Sequence, residues 1–361
     1  SWRFRIMSDI KINNITDRTG SCGPIFAGIS TVSTDTFMVM PSGPTEFRGG
    51  RGRGIIWLND APSTKTLNKI EIATVGNAVD FGDSMVSKSK PGVCASSTRG
   101  IFSGGQPGAS PYYITDIEYV ITSSGGGSND FGDLQKGSLR TLDARRGSPA
   151  GSNDSTRGLI AGGNTPGDGG ARKTIDSVTM ASTGDSSAFG ELVQERFDFM
   201  GGMGNGVRAV FAGGYKQTTP AATFYSTIDT VNVQSGGSAT EFGDLSATRG
   251  RTTNTSNNIR GLNMGGGPGP SARTNIIEFI TISTEGNAQD FGDLIDPVLS
   301  HASCASNTRA VQVGGNVSPG SGTNTMQYVT IATTGNATDF GDMTVAITGQ
   351  AALSDVNGGL G

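Results

Sequence analysis

Histidine is almost absent from this sequence, and that shortage removes a large part of enzyme chemistry. His301 is the only one in 361 residues, so histidine-based triads and multi-histidine metal sites fall out of consideration. Cysteine is scarce as well. Cys22, Cys94 and Cys304 cannot make a disulfide framework. Cys94 and Cys304 stand five residues before an arginine, where other units carry Ser152 and Thr255, so they read as small buried residues. Charged residues are 16% of the chain and the net charge is −4, which leaves no basic footprint for nucleic acid. No apolar run is long enough to span a bilayer, so no membrane insertion is expected. Ser1–Ile6 is not followed by the apolar core of a secretory signal, and Met7-Ser8-Asp9 reads as a natural start. Long helix-forming runs are missing too. In their place are glycine, serine, threonine and short β-branched stretches between Gly/Pro/Asn/Ser clusters, the pattern of an all-β chain.

One short motif recurs. Phe81, Phe131, Phe189, Phe242, Phe291 and Phe340 are each followed by glycine and then Asp or Glu. Their spacing, about 50 residues, points to a solenoid, propeller or array. Three further blocks align on these phenylalanines. An arginine opens each unit (Arg53, Arg99, Arg157, Arg208, Arg260, Arg309) and, in all but the first, leads through apolar residues to a glycine pair. An apolar residue lies 14 before every phenylalanine (Leu67, Ile117, Ile175, Ile228, Ile277, Met326) and begins a stretch with strand period. A glycine sits five before every phenylalanine, where a turn with positive φ explains it. With room for one more strand before each arginine, every unit becomes four short antiparallel strands, one propeller blade. The first unit lacks an innermost strand, whereas Ile347–Ser354 is spare at the other end. The expectation is a six-bladed β-propeller over residues 49–361, its first blade completed by the C-terminal strand. Asn357–Leu360 also aligns with the opening of another arginine-type strand, which would allow a seventh blade if more chain followed.

Residues 1–48 do not fit the repeat. Ile25–Ile29 and Phe37–Met40 read as two strands of a short N-terminal β arm, too small for a core of its own. Such an arm would attach or oligomerise the propeller.

The glycine pair, the aromatic outer strand and the period together resemble kelch repeats over residues 49–361. Phenylalanine stands here where kelch repeats usually place tryptophan. The fuller pattern, Ile-Asp/Glu-x-Val-Thr-Ile-Ala-Thr-Thr-Gly-Asn-Ala-Thr-Asp-Phe-Gly-Asp, is similar to virion structural proteins of marine tailed phages. So are Ile15–Gly20 and Met38–Gly43 in the arm. That resemblance implies a kelch-like propeller carried on the phage particle, at the tail or on a fibre, with other virion proteins as partners of residues 1–48.

The repeated polar residues invite a chemical reading. Six arginines could form an anion-binding ring. A catalytic site needs asymmetry, however, and these residues recur in every unit, so pairing with carboxylates or carbonyls within and between blades is favoured. Asp-Phe-Gly-Asp lacks the ligand spacing of an EF-hand, and no metal or cofactor is expected. The phenylalanines supply one large ring per blade for packing between sheets.

Asymmetry lies in the loops. Connections between second and third strands vary in length, and so does the stretch after Phe131; both emerge on one face. Tyr112, Tyr113, Tyr215, Phe224 and Tyr225 offer aromatic surface there for a sugar or protein, and Arg140, Arg145 and Arg146 add charge. The reading is a non-enzymatic virion protein that binds a host surface glycan or protein through this variable face. The alternatives are a spacer or decoration protein without ligand and a glycan-cleaving propeller, which would need clustered carboxylates.

Overall fold

The arginine and the apolar residues behind it form the second strand of every unit, as in Arg53–Trp57, Arg99–Ser103 and Arg260–Met264. Beyond the half-buried arginine these strands are buried on both faces without alternation, the mark of a strand covered by a sheet on each side. Third strands such as Asp116–Ile121 alternate in part, and outer strands such as Asn129–Asp133 bury mainly the phenylalanine. Burial thus declines from hub to rim. The structure, a computed structural model, describes residues 52–58, 65–107, 114–135, 150–153, 156–165, 170–218 and 220–355. Apart from one two-stranded hairpin, they form six small blade sheets, each ordered inner, second, third and outer strand, and these make a six-bladed β-propeller. The arm expected over residues 1–48 and the segment 357–360 lie outside the described residues.

Blade one is closed by the C-terminal strand. Ala351–Ser354 runs antiparallel to Arg53–Trp57, with Gly54 opposite Ser354 and Trp57 opposite Ala351. The Asp355 carboxylate then accepts the backbone N–H groups of Gly52 (3.0 Å) and Arg53 (2.8 Å). The closing strand starts later than Ile347, because Thr338–Ile347 is one continuous outer strand of blade six.

Blade four departs from the four-strand pattern. Phe199–Met200 pairs in parallel with Thr252–Thr253 of blade five, and only Met203–Gly204 pairs with its own second strand. The break falls at Gly201, whose φ is +73° and where a Cβ would strike the Asn254 carbonyl. Phe199 packs edge-on against Phe211, 6.3 Å between centroids, in the core shared by blades three and four.

Neighbouring blades are joined by one cyclic set of backbone bonds. The phenylalanine carbonyl of each outer strand accepts the N–H of the glycine in the next blade's turn: Gly126 to Phe81, Gly184 to Phe131, Gly237 to Phe189, Gly286 to Phe242, Gly335 to Phe291 and Gly76 to Phe340. This contact explains both glycines of the repeat. A Cβ on Gly82, where φ is +145°, would lie 2.5 Å from the Gly126 carbonyl. The turn glycine therefore serves the joint between blades as much as its own hairpin. The same bonds occupy outer-strand groups that would otherwise be an exposed sheet edge.

Candidate functional site

The six arginines form a ring of a structural kind. Arg53, Arg99, Arg157, Arg208, Arg260 and Arg309 each donate through Nη1 to carbonyls at the end of the next blade's third strand. Arg53 reaches Thr122, Arg99 reaches Met180, Arg157 reaches Val233 and Arg208 reaches Ile282. Arg260 reaches Ile331, and Arg309 closes the circle at Ile72. Four of these guanidinium groups also lie over an aromatic ring of their own blade, as Arg309 does over Tyr328 at 4.6 Å. The phenylalanines fill six clusters, each drawn from two adjacent blades. Phe81, Phe131, Phe242, Phe291 and Phe340 are buried, and Phe189 is half-buried.

A second repeated joint was not legible from the aligned blocks. The residue 13 before each phenylalanine (Asn68, Glu118, Asp176, Asp229, Glu278, Gln327) is buried in the third strand. In five blades it accepts the N–H of the residue four after the preceding blade's phenylalanine: Met85 to Glu118, Val193 to Asp229, Ser246 to Glu278, Ile295 to Gln327 and Thr344 to Asn68. Where the acceptor is a carboxylate at these joints, the residue seven after that phenylalanine is a buried cation. Lys88 meets Glu118 at 3.1 Å, Arg196 meets Asp229 at 2.9 Å, and Arg249 meets Glu278. Where the acceptor is Gln327 or Asn68, the matching residue is Val298 or Ile347. Burial pushes the Asp229 carboxyl above the ordinary carboxylate range and the Arg196 guanidinium below its ordinary value, and their contact opposes both shifts. Arg249 is brought down to about 10 by burial.

The variable face surrounds one mouth of the central channel. Lys90, Asp198, Arg251, Ser300 and Gly349 precede their inner strands with φ between +50° and +73°. Their backbones bond in sequence around the axis: Lys90 to Gly349, Gly349 to Ser300, Ser300 to Arg251 and Arg251 to Asp198. Above this circle Lys90 of blade two reaches both carboxylate oxygens of Asp198, at 2.9 and 2.8 Å. The channel below is narrow. Two cavities between the described inner strands measure about 50 and about 10 Å³, room for a few waters.

Of the residues expected to bind a ligand, Tyr112, Tyr113, Arg140, Arg145 and Arg146 lie outside the described residues. Tyr215 and Phe224 form a small hairpin, Tyr215–Lys216 with Thr223–Phe224. The Tyr215 ring stacks on Phe224 at 5.0 Å and leans on Phe197 at 4.3 Å, so it is 7% exposed and packs its loop together. Tyr225 and Phe224 are half-buried, and the Tyr225 backbone bridges Gly214 and Arg249. A larger recess, about 420 Å³, opens between blades five and six and is lined by Ser271, Arg273, Asp296, Pro297, Val317, Ser318 and Thr323. Among the described residues no group of three or more His, Cys, Asp or Glu could hold a metal ion, and no helix is long and apolar enough to cross a membrane. No protein-family model matches the chain and no curated protein matches it, so neither comparison ties it to kelch repeats or to phage proteins.

His301 is buried at the start of blade six, with Nε2 against the Met264 carbonyl at 3.1 Å. Burial lowers its pKa from 6.5 to about 4. Between those values the unfolded chain takes up a proton that the folded ring refuses, so stability falls as pH falls through this window. The full loss is expected to be about 3 kcal/mol, complete near pH 4. Urea midpoints at pH 7 and pH 4 test this: His301→Gln should lose less than the wild type, and equal losses would refute it.

Proposed function

We propose that this chain is a non-enzymatic display module whose variable loop face binds a host surface glycan or protein, and that it acts on a phage particle. The observation that carries the binding part is the division of labour between faces. The repeated arginines, phenylalanines and third-strand polar residues join blade to blade, leaving unrepeated side chains on the loop face as the variable part. Function built on a rigid scaffold belongs in such loops. The particle part rests on the resemblance of the repeat and of the arm motifs to virion proteins of marine tailed phages. Partners of residues 1–48 would be other virion proteins or further copies of the chain.

The loop face and its opposite can be tested separately. Ser318 lies at the tip of a loop-face hairpin and Thr308 in a turn on the opposite face. The folded protein, carrying Ser318→Cys or Thr308→Cys, would be coupled there to a bulky polymer and applied to arrayed envelope polysaccharides from marine bacteria. Loss of binding on shielding Ser318 but not Thr308 is the expected result. Equal binding by both would sink the face assignment, and labelling of a capsid or tail shaft with the loop face buried would favour a spacer instead.

A further inference from the structure

The recess between blades five and six has the makings of a ligand site, and its residues indicate which kind. It joins the loop after Met264, the end of the outer strand Gln289–Val298, and the hairpin formed by Arg309–Val317 and Ser321–Thr330. Its volume, about 420 Å³, lies within the roughly 300–1,000 Å³ typical of small-molecule sites, whereas the cavity between the described inner strands holds about 50 Å³ and Tyr215 is covered.

Arg273 is held in place from three sides. Nε donates to the Asn316 carbonyl at 3.2 Å, Nη1 to the Ser271 carbonyl at 3.0 Å, and Nη2 to the Asn316 side-chain oxygen. A guanidinium has five N–H groups, so a fixed fork with two remaining donors is left. Asp296 lines the same recess, is exposed, and among the described residues its carboxylate makes no hydrogen bond or ion pair. Ser271, Ser318 and Thr323 add hydroxyls, and Pro297 and Val317 add an apolar surface.

We infer that this recess is a subsite for one neutral pyranose ring, an inference that rests on the loop-face reading and gives it a location. The chemistry selects among ligand classes. An anion would satisfy Arg273 but meet the unpaired Asp296, and a cation would meet the reverse conflict. A sugar hydroxyl both donates and accepts, so neighbouring hydroxyls can take the arginine donors and the carboxylate acceptors together. The C–H face of the ring would lie on Pro297 and Val317.

Amide spectra of the full chain, titrated to millimolar concentration with methyl glucoside, methyl galactoside, methyl mannoside and N-acetylneuraminic acid, test this directly. Saturable shifts at Ser271, Arg273 and Thr323 with at least one neutral glycoside are expected. Asp296→Asn should weaken that response about tenfold or more, because it removes charge-assisted hydrogen bonds, while amides elsewhere stay in place. Silence in the recess with every neutral glycoside would overturn the inference. So would a response to N-acetylneuraminic acid alone, or one that Asp296→Asn leaves unchanged. Envelope binding that survives Asp296→Asn would overturn the subsite and leave the loop-face reading standing. A saturable recess response without envelope binding by the wild type would uphold the subsite and sink the wider reading.

Discussion

Removal of residues 351–361 is expected to open the ring and to cost about 5 kcal/mol or more, a large share of the stability of an ordinary domain. The closing strand belongs to two interfaces at once. Ala351 and Leu353 pack with Ile55, Trp57 and Phe102 towards blade two, and Ala352 packs with Ile56, Val311 and Phe340 towards blade six. Its loss would uncover Trp57, which is fully buried, and free the edge of Arg53–Trp57. Asp355 would also release the N–H groups of Gly52 and Arg53. Trp57 emission in a Trp2→Phe background, followed through a thermal melt, reports the outcome. A red-shifted spectrum and a sharply lowered midpoint are expected. A protein that melts like the full chain would show that closure is dispensable. Removal of residues 356–361 alone keeps the strand and Asp355 and serves as the control.

Arg249→Val is expected to destabilise the ring by about 3–5 kcal/mol, because Glu278 would be left as a buried charge without its cation. The double variant Arg249→Val with Glu278→Gln should recover most of that loss. The ring contains its own precedent, since blades five and six are joined by Val298 and Gln327 at the equivalent positions. There the glutamine oxygen still accepts the Ile295 N–H at 2.7 Å, as Glu278 accepts that of Ser246 at 2.9 Å. Denaturant midpoints for the wild type, both single variants and the double variant complete the thermodynamic cycle. A double variant that loses the sum of the two single losses would show that the two positions are independent. Recovery would mean that ionic and neutral joints hold blades about equally well and differ in which neighbour they accept.

Much of this architecture could be read from the residues, and the parts that could not share a cause. Phenylalanine, turn glycine and arginine recur at fixed places, so blade number and ring closure followed from their spacing. What each residue touches was harder to see, because its partner lies in the next unit. Phe81 O meets Gly126 N, and Arg53 meets Thr122, at sequence separations that matching within one unit never compares. The buried cation joints were hidden for the same reason. Their signal is nonetheless present: Lys88, Arg196 and Arg249 precede Glu118, Asp229 and Glu278, while Val298 and Ile347 precede Gln327 and Asn68. Tyr215 misled for a different reason. An aromatic in a variable loop looked open, and only the fold brings Phe197 and Phe224 against it. The inner strand of blade four was also unreadable, because its Phe199–Met200 part pairs in parallel with blade five, and no pattern within one unit encodes a partner in the next.

The meeting of Gly52 and Asp355 has a mechanical side. Both ends of the ring lie together on the face opposite the loops, since Ala351–Ser354 runs away from the channel mouth at Gly349 and Arg53–Trp57 runs back towards it. If the loop face is gripped by a surface and the chain is pulled through Gly52, tension enters along the axis of Arg53–Trp57. The seam with Ala351–Ser354 is then sheared lengthwise, so its hydrogen bonds resist together and cannot be peeled open one at a time. Rupture under load would follow the slow unfolding rate of that whole seam, so the closing strand sets how long the ring survives a steady pull.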